Sequence, residues 1–113
     1  MSKMIGWDEI IEYQNKRYPG WMTEKSVLLF STALAGEAGE VCGVITHLEG
    51  GGTNVREYTR EMVLHQCVDT YNQLILLLAR YGFTPEQFAA EFDVVLQELY
   101  ERLEEVNNEP RTE

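Results

Sequence analysis

A chain of 113 residues that is 44% hydrophobic and 25% charged has the size and composition of one soluble globular domain with a single core. Its formal net charge of −10, from 19 acidic and nine basic residues, argues against nucleic acid as a partner, because no excess of cations is present to displace phosphate counterions. A free nucleotide stays open, since a divalent metal can invert the local sign.

The first helix is expected over Asp8–Arg17. Ile10, Ile11 and Tyr13, with Trp7, form one apolar side, and Asp8 serves as cap or first-turn acid. Tyr18-Pro19-Gly20-Trp21 marks a turn, and Trp7 and Trp21 read as packing residues rather than ligand stackers. Thr23 is then expected to cap a second helix over Glu24–Leu48, about 37 Å long at 1.5 Å per residue. Gly50-Gly51-Gly52 stops it, and His47 sits where the helix dipole favours a cation.

Asn54 is expected to cap a third helix over Val55–Tyr81, with Gly82 as its C-terminal stop. The first half of this helix is charged, and the second contains Leu74-Ile75-Leu76-Leu77-Leu78. Thr84-Pro85-Glu86-Gln87 then opens a fourth helix: a cap, a proline at the first position and a glutamine three residues after the threonine. Phe88, Phe92, Val95, Leu96, Leu99 and Leu103 form its apolar stripe. Nine of the 19 acids lie from Glu86 onward against only Arg102 and Arg111, which makes this end a solvated acidic surface. From Asn107 the periodicity is lost and Pro110 follows, so residues 107–113 are expected to fray.

With no strand, repeat or low-complexity signal, the expected fold is all-α: one antiparallel four-helix bundle spanning residues 1–113. The second and third helices are too apolar for a lone monomer, so a homodimer or homotetramer is expected. Cys42 and Cys67, both in apolar stretches, are expected to be buried thiols in a reducing cytosol. There is no basic-then-apolar leader, and the longest apolar run, Leu74 to Ala79, is too short for a bilayer. The expectation is a cytoplasmic protein without a membrane partner.

Chemistry concentrates in Ala33-Leu34-Ala35-Gly36-Glu37-Ala38-Gly39-Glu40-Val41. Glu37 and Glu40 share a helix face one turn apart, and paired carboxylates resist burial unless a cation or donor lies between them. The small residues around them leave room for close approach by a ligand or another helix. The third helix carries matching polar groups in an apolar setting. Gln66, Asp69 and Gln73 lie on one face, and His65, Asp69 and Asn72 on an overlapping one. Carboxylate and amide oxygens from facing helices suit Mg²⁺ or Mn²⁺, and no Cys/His set suggests zinc. A buried polar network centred on Asp69 would use the same residues to hold the helices in register. Arg80 and Lys25 are candidate phosphate contacts.

The run Ala33–Val41, an Asp in an apolar third helix, Gly82 and a capped fourth helix together resemble the MazG-like, all-α nucleoside triphosphate pyrophosphohydrolases over roughly Lys25 to Leu103. The resemblance implies that Glu37, Glu40 and Asp69 hold Mg²⁺, or Mn²⁺ in its place. It also implies hydrolysis of a (deoxy)nucleoside triphosphate to the monophosphate and pyrophosphate, with Glu37 or Glu40 accepting the proton of the attacking water. Trp21, Tyr71 or Phe30 would face the base. The chain departs from that family at Gln66-Cys67-Val68-Asp69, where glutamine replaces the family's glutamate. An amide oxygen ligates a hard cation but brings no charge, so metal affinity should fall. Glu61 and His65, two turns and one turn before Asp69, are placed to compensate. Near Phe92, where the family often has Asn, the closest polar residues are Glu91 and Asp93. The alternative expectation is a non-catalytic helical oligomer that binds nucleotide or a protein partner.

Overall fold

The structure, a computed structural model, describes residues 4–50 and 57–108. Among them every regular element is helical, and the fold is all-α. The helices are α1 (Trp7–Arg17), α2 (Trp21–Glu24), α3 (Val27–Gly50), α4 (Arg60–Arg80) and α5 (Pro85–Asn108). They fall into two compact units: Gly6–Gly82, which holds α1 to α4, and a second to which α5 belongs.

The first helix forms almost as expected, and the Pro-Gly turn after it works through a left-handed Gly20, φ 84°. The second does not. An unforeseen turn, α2, interrupts it, and Lys25 then swings to an extended conformation at ψ 137°. Thr23 is not a cap: its hydroxyl donates back to the Gly20 carbonyl at 3.3 Å. Ser26 does that work, its Oγ accepting from the Leu28 N–H at 3.2 Å. The physical cause is Trp21. Its indole N–H donates to Asn15 Oδ1 at 2.7 Å, and its ring meets Phe30 edge-on at 5.5 Å. Pinned from both sides and 1% exposed, Trp21 ties this turn to α1 and forces a break before α3.

The third expected helix begins later than Val55. Glu57 to Thr59 are not helical, and Thr59 caps α4, its side chain accepting from the Met62 N–H at 3.4 Å. The expected cap Asn54 and the glycines Gly51 and Gly52 lie outside the described residues. Gly82 ends α4 as expected, with φ 84°, and its N–H bonds to the Ala79 carbonyl at 2.9 Å. At α5 the capping box closes in both directions. The Thr84 N–H reaches Gln87 Oε1 at 2.9 Å, and the Gln87 N–H reaches Thr84 Oγ1 at 3.1 Å. Thr84→Ala should therefore lower stability by about 1 kcal/mol in urea unfolding; an unchanged midpoint would mean that α5 does not melt with the rest. The helix continues through Asn107 and Asn108, where fraying was expected, and the rest of the tail lies outside the described residues.

Within the Gly6–Gly82 unit, α4 packs against both α3 and α1. Arg80 Nε donates to the Lys25 carbonyl at 3.1 Å near one end of the α3/α4 pair, and His47 stacks on Tyr58 at 4.6 Å near the other. The two helices therefore run antiparallel. Trp21, Phe30 and Leu76 form the core, with Ile10, Ile11, Leu77 and Ala79 packed around them.

Much of α3 faces outward. Leu28 is 75% exposed, and Ala35, Gly36, Ala38, Gly39 and Ile45 are exposed too. Cys42 and Cys67 are free and exposed rather than buried, lying outside the core of their unit. A Cβ added at Gly36, Gly39 or Gly43 would touch nothing within 4 Å, so the expected close approach is not made by any described part of the chain. The expectation that no segment is long and apolar enough for a bilayer also fails on length and composition alone: α3 meets that test. Its mid-helix Glu37 and Glu40 would be costly in hydrocarbon.

Candidate functional site

The α3/α4 seam brings together the carboxylates that the sequence pointed to. Glu37, one turn into the small-residue stretch of α3, is half-buried. Its carboxyl is held above the ordinary carboxylate range, chiefly because burial disfavours the charge, then because Glu40 and Asp69 add negative charge nearby. Glu40 also lies close enough to share a proton with it, and His65 opposes the rise. The helical spacing puts Glu37 and Glu40 on one face, and the antiparallel pairing with α4 delivers Asp69 opposite them.

Two atoms in this region stand out. Glu37 Oε2 and Gln66 Oε1 are buried with no hydrogen-bond partner. A buried oxygen acceptor without a donor costs on the order of 1–3 kcal/mol, and more when it carries charge. A cation would satisfy oxygens of this kind, and hard oxygen donors fit Mg²⁺ or Mn²⁺. Glu37, Glu40, Asp69 and Gln66 are thus the residues that could hold such an ion. Yet among the described residues no three His, Cys, Asp or Glu side chains already stand in a metal-holding arrangement, so side-chain rotation would have to complete the set.

Asp69 has a competing partner: its Oδ2 lies 3.4 Å from His65 Nε2, one turn away on α4, an ion pair when the imidazole is protonated. It is an exposed i,i+4 pair within α4, so it is not the buried network between the two helices that the sequence allowed as an alternative use of Asp69. Glu61 is exposed at the start of α4. Beside the carboxylates a cavity of about 350 Å³ opens between the helices. Glu40 and Gln66 line it on the carboxylate side, and His47, Tyr58 and Met62 on the other.

The aromatic candidates for base contact resolve differently. Trp21 and Phe30 are core residues, 1% and 4% exposed, and neither lines this cavity. Tyr71 is half-buried, with its phenol pushed up by burial. The parallel His47–Tyr58 pair, tilted by only 12°, is the aromatic surface that actually lines the cavity. Sequence reasoning missed Tyr58, because nothing marked it as adjacent to His47 across the connection. Arg80 does not face open space; its guanidinium holds the Lys25 backbone.

The electrostatics give a stability test. In the absence of metal, Glu37 titrates higher in the folded chain than in the unfolded one, so the folded state binds the proton more tightly. Stability is then fully present below the ordinary glutamate pKa and falls as pH rises through the raised folded value. Glu37→Gln removes that loss. In EDTA at pH 7.5 it should melt higher than the parent, with the difference vanishing below the ordinary glutamate pKa. Identical pH profiles for the two proteins would mean that Glu37 is solvated.

Compared with known proteins, the chain matches no family model, no curated sequence and no solved structure.

Proposed function

We propose that the chain is a Mg²⁺-dependent nucleotide pyrophosphohydrolase of MazG-like type that cleaves a (deoxy)nucleoside triphosphate to the monophosphate and pyrophosphate. The observation that carries this reading is the convergence of Glu37, Glu40 and Asp69 across two helices, with the oxygens Glu37 Oε2 and Gln66 Oε1 buried and unpaired beside them. A bound Mg²⁺ or Mn²⁺ would neutralise the polyphosphate and lower the pKa of the attacking water. Glu37 and Asp69 supply charged oxygens, and Gln66 a neutral one. Glu40, exposed at the rim of the cavity, accepts the proton as water attacks the α-phosphorus and the bond to the departing pyrophosphate breaks. The 350 Å³ cavity, walled by His47 and Tyr58, has the size and aromatic lining for a nucleobase.

The outward apolar face of α3 supports a homodimer or homotetramer, which this reading places in the cytoplasm. Purified protein incubated with Mg²⁺ or Mn²⁺ and a panel of (deoxy)nucleoside triphosphates should release pyrophosphate. No release from any of them would leave the second reading.

That reading is a non-catalytic helical oligomer that binds nucleotide or a protein partner. Two observations favour it: Gln66 brings no charge, and among the described residues no three His, Cys, Asp or Glu side chains stand in a metal-holding arrangement.

A further inference from the structure

The second cavity of the Gly6–Gly82 unit has a chemistry unlike the rest of the chain. About 190 Å³ in volume, it is lined by the cations Arg17 and Lys25 and the amides Gln14 and Gln73, over an apolar floor that includes Phe30 and Leu76. No carboxylate lines it, on a chain where acids outnumber bases 19 to nine. Both cations gather on one ring. The Arg17 guanidinium lies 4.9 Å and the Lys25 ammonium 4.6 Å from the centre of Tyr18. Their charges are thus less than ~10 Å apart and repel, with no carboxylate on either among the described residues.

The surroundings hold this arrangement in place. Arg80 Nε binds the Lys25 carbonyl at 3.1 Å, which fixes the extended Lys25 backbone at the cavity. Arg17 is steadied by Tyr13, its Nη1 donating to the phenol oxygen at 3.4 Å. Gln14 is the only buried polar residue among the described residues, 8% exposed, and it lines the cavity. An amide buried beside two cations, above aromatic and aliphatic side chains, matches a ligand with a charged end and an apolar body.

We propose that this cavity is a binding site for a small organic oxyanion, a carboxylate or a phosphate monoester with an apolar body. Arg17 and Lys25 hold the anionic group, Gln14 and Gln73 donate hydrogen bonds to it, and Phe30 and Leu76 cover the body. The site stands whether or not the carboxylate cluster binds metal, because it shares no residue with that cluster.

Calorimetric titration of the full chain with benzoate, phenyl phosphate, inorganic phosphate and the neutral benzamide tests it. Benzoate or phenyl phosphate should bind saturably, and which of the two binds tighter identifies the source. Affinity should fall as NaCl is raised. Arg17→Gln and Lys25→Gln should each weaken binding about tenfold, and the double variant should abolish it, as expected when charge-assisted contacts are removed. Both positions lie outside the core, and an unchanged melting temperature certifies each variant. Glu40→Gln should bind the same probes as the parent, which separates this site from the proposed hydrolase. Benzamide binding as tightly as benzoate, unchanged affinity in the double variant, or no saturable binding of either anion would each overturn the assignment. Inorganic phosphate binding as tightly as phenyl phosphate would overturn the apolar half of it.

Discussion

Replacement of Glu40 by glutamine is expected to lower turnover by at least about a hundredfold while leaving the helical circular dichroism spectrum intact, the loss expected when a positioned general base is removed. Glu40 is exposed on α3, so its side chain carries little of the core packing. Its effect is electrostatic. It presses on Glu37, one turn away, and it lines the cavity that would receive the nucleotide. Gln keeps the shape and removes both the charge and the ability to take a proton. Turnover unchanged in Glu40→Gln would take α3 out of the chemistry altogether.

The second large effect runs the other way. Gln66→Glu should tighten Mg²⁺ binding by roughly tenfold or more, because ligand charge tunes the affinity of hard-cation sites. Gln66 Oε1 is buried and unpaired, so the geometry for an oxygen donor already exists and only the charge is missing. Without metal the same change should destabilise the protein, since it adds a negative charge near Glu37, Glu40 and Asp69. Weaker folding in EDTA combined with stronger Mg²⁺ rescue is therefore the expected pair of results. New hydrolysis in the variant, with none in the parent, would identify a lapsed enzyme; strong activity in the parent would identify a divergent one. A variant equally stable with and without Mg²⁺ would separate Gln66 from the carboxylates.

Local chemistry was the most legible part of this chain. Thr84, Pro85 and Gln87 announce the start of α5 because each partner in the capping box lies within four residues of the others, and the box forms as written. Gly82 ends α4 for the same reason: a left-handed stop needs only one residue. Thr23 and Ser26 show where local reasoning fails. Both are good caps, and the choice between them depends on Trp21, whose hydrogen bond to Asn15 and packing on Phe30 reach outside the segment. Thr59 replaces a cap expected five residues earlier, which no periodicity in the charged stretch could have ruled out.

The site divides the same way. Helical spacing alone puts Glu37 on the face of Glu40, and an acid in an apolar helix marks Asp69, so these could be named before any packing was known. The side-chain oxygen of Gln66 is buried although the residue as a whole is half-buried, which its spacing from Asp69 and Gln73 alone could not decide. Arg17, Tyr18 and Lys25 were invisible as a group, since they come from the end of one helix, a turn and an extended linker. Cys42 and Cys67 mislead for the opposite reason. Apolar neighbours imply burial only when something covers them, and both cysteines lie exposed, outside the core of their unit.

The most direct test of the central claim is a calorimetric titration of the full chain with Mn²⁺ at pH 7.5, run beside Asp69→Asn. Asp69 sits on α4, so its loss weakens binding only if carboxylates from both helices reach the same ion. The account predicts saturable binding that falls about tenfold or more in the variant, since each charged ligand tunes the affinity of such a site. Equal affinity in the two proteins, or no saturation in the parent, would contradict it.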